Sequence, residues 1–413
     1  MEWVACVGLD WGDKQHAYLV EGREGGRQSG VLDTAPEGIQ EWIRELRRHY
    51  PNGTIIIGVE QGRRSLIYAL SNFDSIVVVP INPRASERYR ESQRLSRASS
   101  DESDAELICR FVLRHLETLP VWKVDDAVTR ELRGLTECRR TFVDQRTAFC
   151  HQLAATLKDY FPQALQWFGG ECSTLLWAMI ARWPSLKELR SATAKQLVDV
   201  LRSKGCRKVA TRAEELLGKI LSAQTLITDV VQIRTHSLYA QSLVAIIEPL
   251  NVQIEKYDRA IAAVWKFHPD HDLFDSLPGV GPVLGPRLAA AFGRDRSRYT
   301  SAFEMECYSG IAPVIEQSGK QRWVHARWSF PTFLHQTFHE FAQSSIPKSR
   351  WANAVYHEQR ARGAHHHEAI RALAFRWIRI LFRIWKSGER YDEQRHIDML
   401  IAKQSPIAKL LAA

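Results

Sequence analysis

Four carboxylates stand out in this sequence because of where they lie along the chain. Asp10 ends an apolar run that predicts a buried strand, and Glu60 ends a second, β-branched run. Asp101 and Asp104 are three residues apart, so a helix would present both on one face. Sites in α/β sheets collect at strand ends, where these four side chains could converge. Converging carboxylates repel one another unless cations neutralise them, and such hard oxygen ligands favour Mg²⁺ or Mn²⁺.

Two such ions can stabilise both the attacking and the leaving oxygen of a phosphodiester. The pattern has a structural alternative, since the chain has 47 acidic residues and acids are common at strand ends and helix starts. A helix N-terminus also favours an aspartate through the helix dipole, which by itself would explain Asp101. The residues alone therefore leave both interpretations open.

A candidate nucleophile lies far from these acids in the sequence. Ser318 precedes Gly319 and is followed by Lys320 and Arg322. A serine hydroxyl among cations can approach a phosphate, and the cations can stabilise the charge of the pentavalent state. The segment is not a P-loop, because Lys320 is followed by Gln321. Ser-Gly is also a common turn dipeptide, so a simple turn is the alternative.

Two neighbouring serines have local explanations that Ser318 lacks. Ser309 is predicted at the end of a helix, where a C-terminal turn accounts for it. Ser301 is predicted at a helix start, where it would act as an N-cap. We therefore predict Ser318 in a loop that rigid elements position for chemistry.

The charge pattern favours a nucleic-acid partner, since the net charge is +9. Gly279 and Gly281, within Leu277–Pro282, resemble a helix-hairpin-helix turn whose backbone N–H groups suit a phosphate; the alternative is a plain turn that needs positive φ. His365–His367 is interpreted as a solvated or nucleic-acid-facing patch and not as a metal site. Phosphate contacts are also predicted for five arginines: Arg84, Arg88, Arg90, Arg94 and Arg97.

Strands interleaved with helices predict an α/β domain over residues 1–122. Its predicted strands are 3–10, 17–20, 54–59 and 75–80, and its helices run over 34–48, up to Leu70, and over 101–116. Thr34 and Glu37 have the spacing of a capping box.

Residues 123–266 form a predicted helical, coiled-coil region. Its apolar seams could close within one chain, as an antiparallel pair, or between subunits, and we expect self-association. Residues 267–413 form a predicted, mainly α, C-terminal domain with the helix-hairpin-helix-like turn.

The 13 tryptophans could stack on bases, although most are expected in the core. With no long apolar run and no secretory pattern, a cytoplasmic location without membrane contact is expected. The seven cysteines contain no CxxC pair and predict no zinc site.

Several segments, in this order, resemble the DEDD transposases of the insertion sequence one-ten family, which are relatives of the Piv DNA invertase. The matching segments are Gly8-Leu9-Asp10, Val59-Glu60, Asp101-x-x-Asp104, Leu277–Pro282, the Tyr299–Pro313 pattern and Ser318-Gly319.

This resemblance implies an RNase H-like (RuvC-like) N-terminal domain in which Asp10, Glu60, Asp101 and Asp104 bind Mg²⁺. It implies that Ser318 attacks a DNA phosphate and forms a covalent link. It also implies donor and target DNA, a structured non-coding bridge RNA as guide, and dimers that assemble into tetramers. The chain departs from the family by a long stretch between Asp104 and Ser318, and by Gln317 where many members have a second serine.

A phosphoserine link conserves the phosphodiester energy, so rejoining would need no ATP, in agreement with the missing P-loop. Two other functions stay open. One is a metal-only RuvC-like nuclease that resolves branched DNA, in which Ser318 is structural. The other is a non-catalytic nucleic-acid-binding protein, for which Asp10 would be dispensable.

Overall fold

The computed structural model describes residues 2–60, 64–93, 100–119 and 121–411. The chain forms two compact units, Met1–Val124 and Asp125–Ala413. The further division of the second unit into a coiled-coil region and a C-terminal domain stays a prediction.

The first unit is built on a mixed five-stranded sheet in the order β3-β2-β1-β4-β5. Strand β1 pairs in parallel with β4, and β4 with β5, whereas β2 is antiparallel to both β1 and β3. The mixed α/β domain expected from the sequence is therefore confirmed. The strands are β1 (Trp3–Asp10), β2 (Gln15–Gly22), β3 (Arg27–Asp33), β4 (Thr54–Glu60) and β5 (Ile76–Ile81).

Strand β3 was not predicted from the sequence. It is mostly exposed, contains Gly30, and has one buried apolar side chain, Leu32, so no alternating pattern marks it. Its backbone pairs with β2 over seven residues, from Gln15 opposite Asp33 to Glu21 opposite Arg27. Pairing with a neighbour defines this edge strand more than its own composition does.

Four helices accompany the sheet: α1 (Pro36–His49), α2 (Arg64–Leu70), α3 (Pro83–Gln93) and α4 (Asp101–His115). The predicted capping box at α1 is wrong. Ala35 is the N-cap of α1, and the Thr34 hydroxyl donates instead to the carbonyl oxygen of Lys14. A capping box forms at α4, where Ser100 and Ser103 cap each other's backbone N–H groups.

The helices cover both faces of the sheet. One face packs on α1 and α2, for example through Leu9 and Val59. The other face carries Cys6 and Ile56 and packs on Ile108 of α4. Helix α4 thus lies on the face opposite to α1.

The second unit is almost wholly helical and is organised around two long helices, α5 (Ala127–Tyr160) and α11 (Val230–Trp265). These run antiparallel within one chain, because Arg139 near the start of α5 pairs with Asp258 near the end of α11. Closer to the other end, the Tyr239 hydroxyl donates to the side-chain oxygen of Gln152. Of the two arrangements that the sequence left open, the structure has the intrachain one.

Each end of this helix pair contributes to a separate core. Leu153 and Leu157 pack with α6 to α10. Leu132 and Ile261 pack with the helices after residue 270, around the buried Trp377. The remaining elements are α6 (Gln163–Trp167), α7 (Thr174–Arg182), α8 (Leu186–Leu189), α9 (Ala194–Ser203), α10 (Val209–Ser222), α12 (His271–Asp275), α13 (Gly281–Phe292), α14 (Ala302–Tyr308), β6 (Val314–Ser318), β7 (Gln321–His325), α15 (Thr332–Ser345), α16 (Arg350–Ala361), α17 (His366–Ser387), α18 (Glu393–Ala402) and α19 (Ala408–Leu411).

Among the helices that the structure describes, none is both long enough and apolar enough to cross a membrane.

Candidate functional site

The sheet register places two of the four carboxylates side by side. Leu9 of β1 lies opposite Val59 of the parallel strand β4, so Asp10 and Glu60 end the two neighbouring strands at the same level. Side chains alternate between the faces of a sheet, and Leu9 and Val59 face α1 and α2. Asp10 and Glu60 therefore lie on the α4 face.

Two glycines allow α4 to approach this face closely. A Cβ atom on Gly8 would collide with the carbonyl oxygen of Ala105, and one on Gly58 would lie 2.5 Å from a methyl of Val112. Neither strand position therefore tolerates a side chain while α4 is seated. The N-terminal turn of α4 carries Asp101 and Asp104 towards the strand ends as a result of this packing.

The pKa of Asp10 reflects the proximity of the other three acidic side chains. The pKa of Asp10 is raised from its usual value near 3.8 to about 6. Burial is the largest cause, followed by the charges of Asp104, Glu60 and Asp101; Arg90 acts in the opposite direction. The four carboxylates form one electrostatic group, which is called the carboxylate site below.

Arg90 of α3 supplies a cation to this group. Its guanidinium lies 3.1 Å from Oδ2 of Asp104, and the side chains of Arg90 and Asp104 are partly buried, with 31% and 16% of their surface exposed. The other oxygen of Asp104, Oδ1, is buried without a hydrogen-bond partner in the described part of the chain, as is Nε of Arg90. A buried carboxylate oxygen without a partner is costly, so Asp104 has capacity for a further ligand.

A divalent metal ion needs several donor side chains that are grouped closely together. Over the described ranges, no three His, Cys, Asp or Glu side chains are grouped closely enough to hold such an ion. The donor chemistry nevertheless fits Mg²⁺ or Mn²⁺, because all four groups are carboxylates, Asp10 is destabilised by its acidic neighbours, and Asp104 Oδ1 is unpaired. Coordination would require the side chains to move inward from these positions.

Ser318 lies at the end of a strand and not in the loop that was predicted. Strands β6 and β7 form a hairpin in which Ser318 pairs with Gln321 across the two turn residues Gly319 and Lys320. Gly319 has φ +59°, which a hairpin turn with glycine at its first central position requires. The loop prediction failed because the segment lacks alternation of buried and exposed residues, and its pairing is set by the turn.

The surroundings of Ser318 are open. Ser318, Lys320 and Arg322 are all exposed, and within the described residues neither cation forms an ion pair. The two competing serines have the local roles that were predicted. Ser301 caps α14 by accepting from the Glu304 N–H, and the buried Ser309 ends that helix.

The two turn glycines differ in what they contact. Both have positive φ, +78° for Gly279 and +54° for Gly281. A Cβ on Gly279 would collide with the carbonyl oxygen of Ser344, whose hydroxyl also donates to the Gly279 carbonyl at 2.6 Å. Close packing on α15 therefore accounts for Gly279. A side chain at Gly281 would meet open space, so the start of α13 stays accessible.

The predicted phosphate-binding arginines fall into three groups. Arg84 and Arg88 are exposed and lie one turn apart on α3. Arg90 is bound to Asp104. Arg94 and Arg97 lie outside the described residues. The Arg90–Asp104 pair could not be predicted from the sequence, because it joins two helices whose packing depends on the tertiary fold.

The histidine segment takes part in a row that the sequence analysis missed. The ring of His367 lies 5.5 Å from that of His339, which lies 6.3 Å from that of His335. Burial, and then the charges of His335 and His367, lower the pKa of His339 to about 4, so this ring is neutral near pH 7. The signal was present as two histidines four residues apart on α15.

Comparison with known proteins shows which protein family the sequence matches. A family model described as "Transposase" matches residues 7–162, which contain all four carboxylates. A second model, described as "Transposase IS116/IS110/IS902 family", matches residues 271–357, which contain Ser318.

Relatives match over nearly the whole chain. The "Mini-circle putative transposase for IS117" of Streptomyces coelicolor is 26% identical over 400 residues, 94% of this chain and 95% of the relative. The "Insertion element IS116 uncharacterized 44.8 kDa protein" of Streptomyces clavuligerus is 24% identical over 388 residues, 91% and 93% of the two chains.

The α/β unit with its carboxylates, together with these matches, defines a DNA-recombining enzyme. Two family models that together cover more than half of the sequence agree with the full-length relatives. The chain belongs to the IS116/IS110/IS902 family of transposases.

Proposed function

We propose that this transposase cleaves and rejoins DNA through a covalent link between Ser318 and a DNA phosphate, assisted by a divalent cation at the carboxylate site. The observation that carries the proposal is the convergence of four carboxylates: Asp10 and Glu60 end neighbouring parallel strands, and α4, which begins with Asp101 and Asp104, packs closely against both. Burial, followed by the charges of Asp104, Glu60 and Asp101, raises the pKa of Asp10 in agreement with this arrangement. Perturbed acids that converge at strand ends are typical of functional sites.

An RNase H-like (RuvC-like) fold for the first unit is part of this proposal. The strand order β3-β2-β1-β4-β5, with the antiparallel strands on one side of β1 and the parallel ones on the other, supports it. The close packing of α4 against β1, the strand that ends in Asp10, supports this fold as well.

The carboxylate site would hold Mg²⁺ or Mn²⁺ through Asp10, Glu60, Asp101 and Asp104. When bound there, the cation would supply charge stabilisation to the attacking and leaving oxygens of a phosphodiester. Asp10 and Glu60 would orient the site from fixed strand ends. Arg90 would keep Asp104 partly neutralised before the cation arrives, because it already contacts one of the two oxygens.

The serine step balances as follows. The Ser318 oxygen forms a bond to phosphorus while the bond from phosphorus to one deoxyribose oxygen breaks. The serine hydroxyl gives up its proton, and the departing deoxyribose oxygen takes one up. Lys320, in the turn beside Ser318, would stabilise the charge on the phosphoryl oxygens. Arg322 lies on the other face of the ribbon, where it would contact a phosphate further along the DNA. Attack by a different deoxyribose hydroxyl reverses the step and reseals the strand without ATP.

Further partners belong to the same proposal. Donor and target DNA would contact Arg84, Arg88 and the open start of α13 at Gly281. We also propose guidance by a structured bridge RNA, as the family resemblance implies. Self-association is supported by exposed apolar residues along α11, namely Val231 and Leu238, which are seven residues apart, and Val252, which follows fourteen residues later.

The metal-only nuclease stays a second candidate, because the Ser-Gly turn of the hairpin by itself explains the residue types at Ser318 and Gly319. The two candidates differ in one product. Incubation of the protein with labelled junction DNA and Mg²⁺, followed by denaturing electrophoresis, reveals a protein–DNA adduct only if a side chain attacks. Cleaved DNA with no adduct would support the metal-only nuclease.

A further inference from the structure

The hairpin that carries Ser318 has little support from the rest of its unit. From Ile315 to His325 every residue is exposed, on both faces of the ribbon. Its apolar members Ile315, Trp323 and Val324 are 51%, 43% and 62% exposed. An isolated two-stranded hairpin is marginally stable in water, and exposed apolar side chains on it are unfavourable without a partner.

The register puts a tryptophan beside Ser318. Glu316 pairs with Trp323, and Ser318 pairs with Gln321. Residues that face each other across an antiparallel pair lie on the same side of the ribbon, as do residues two apart along a strand. Trp323 and Ser318 are therefore diagonal neighbours on one face, within reach of the same nucleotide.

A second exposed tryptophan follows the end of β7 that lies away from the Ser318 turn. Trp328, between β7 and α15, is 84% exposed, in contrast to the fully buried Trp377 and Trp385 of the core. Within the described ranges, neither Trp323 nor Trp328 packs on another aromatic ring. Large exposed indoles are unusual on a surface that has no ligand.

Cations lie near both rings. Lys320 is in the turn next to Ser318 and Arg327 directly precedes Trp328, whereas Arg322 pairs with Gln317 and so lies on the opposite face of the ribbon from Trp323. The one acid of the hairpin, Glu316, lies across from Trp323 and 3.6 Å from His325. Cations between aromatic platforms suit a strand whose phosphates and bases must both be held.

We propose that Trp323 stacks on an unpaired nucleotide of the attacked DNA strand next to Ser318, and that Trp328 stacks on a base further along the same strand. Bases within a duplex offer only their edges, so the two rings select single-stranded or locally opened DNA. The inference rests on the proposed function in that DNA is the substrate, but its binding step does not require attack by Ser318. DNA contact would also order the hairpin.

A docked protein segment is the competing occupant of the same apolar residues. The substitution Trp323→Leu distinguishes a bound nucleotide from a docked protein segment, because leucine preserves apolar area but offers no ring for stacking. Phenylalanine preserves the ring. The exposed Phe267, outside the hairpin, provides a matched aromatic control.

The test is fluorescence anisotropy of the full-length protein with labelled single-stranded and duplex DNA and with RNA of the same sequence. Trp323→Ala should weaken single-strand affinity about fivefold to 150-fold, the range for loss of one stacked base. Trp323→Leu should lose as much, Trp323→Phe should retain most of the affinity, and Phe267→Ala should bind like the wild type. Circular dichroism checks that each variant is folded.

Unchanged single-strand affinity in Trp323→Ala would overturn the inference, and so would wild-type affinity in Trp323→Leu. Binding of RNA but not DNA through Trp323 would overturn it as well. The adduct assay keeps the two proposals apart. A wild-type protein that forms no adduct, yet loses DNA affinity in Trp323→Ala, contradicts the serine mechanism and leaves the stacking inference intact.

Discussion

The carboxylate site and the Ser318 hairpin differ in how the fold holds them. Asp10 and Glu60 are fixed by parallel strand pairing, and α4 is seated on Gly8 and Gly58 with no space left. Ser318 lies on a ribbon exposed on both faces, with open space around Gly319. The backbone of the first region is held by strand pairing and by close packing of α4, whereas the hairpin makes few contacts beyond its own two strands. In the proposed function, a firmly held backbone would carry the charged site, and an exposed ribbon would carry the residue that attacks DNA.

The largest effect should come from filling the space beneath α4. Gly8→Ala places a methyl against the carbonyl oxygen of Ala105, which is backbone and cannot rotate away. We expect a loss of about 3 kcal/mol or more in the free energy of unfolding. At Gly319, where a Cβ meets nothing, alanine should cost about 1 kcal/mol for its left-handed φ. Urea unfolding followed by circular dichroism measures both.

The control for that comparison is Gly134→Ala, in the N-terminal part of α5, where a Cβ also meets open space. It should stabilise the protein by up to about 1 kcal/mol, because alanine favours a helix. Equal losses from Gly8→Ala and Gly319→Ala would mean that the two regions do not differ in rigidity.

A smaller effect is expected from removing charge at the carboxylate site. The pKa of Asp10 is raised in the folded state, so the stability that this group contributes is present below about pH 4 and is lost as the pH rises through about 6. Without divalent cations, Asp10→Asn should therefore stabilise the protein near pH 7. We expect about 1 kcal/mol, after allowance for solvent screening of a half-buried group.

Binding of Mg²⁺ provides a second test of the carboxylate site. Mg²⁺ should raise the melting temperature of the wild type, since a bound cation stabilises the folded state, and should raise that of Asp10→Asn much less. Asp13→Asn, in the turn that follows β1, serves as the control for a change in net charge. Identical Mg²⁺ responses in the wild type and Asp10→Asn would argue against metal binding by these carboxylates.

The smallest effect concerns the exposed face of α3. The double change Arg84→Gln and Arg88→Gln should reduce the slope of log affinity against log salt by about 1.4 to 1.8, from 0.7 to 0.9 for each phosphate contact. Titrations at several salt concentrations measure it. A slope that stays at the wild-type value would mean that these arginines are only solvated.

The ends of β1 and β4 could be predicted because short apolar runs mark buried strands locally, and Asp10 and Glu60 directly follow such runs. The contact of α4 with Gly8 could not, since it depends on packing between residues about 100 positions apart. The edge strand β3 and the Ser318 hairpin were missed for a shared reason. Their side chains are mostly exposed, so backbone pairing forms them without a hydrophobic pattern.

The choice between an intrachain and an intersubunit helix pair was also beyond the sequence. Heptad spacing on α5 and α11 requires a partner but does not specify which one. Polar contacts such as the one between Arg139 and Asp258 settle it, and these become visible only when both helices are placed.

The most direct test of the account is the yield of covalent adduct from Ser318→Ala. The protein, labelled junction DNA and Mg²⁺ are incubated and separated by denaturing electrophoresis, with Ser329→Ala as a matched control at another exposed serine beyond the hairpin. We predict that the wild type and Ser329→Ala form the adduct, and that Ser318→Ala forms none although it binds DNA with unchanged affinity. An adduct of undiminished yield from Ser318→Ala would contradict the central claim.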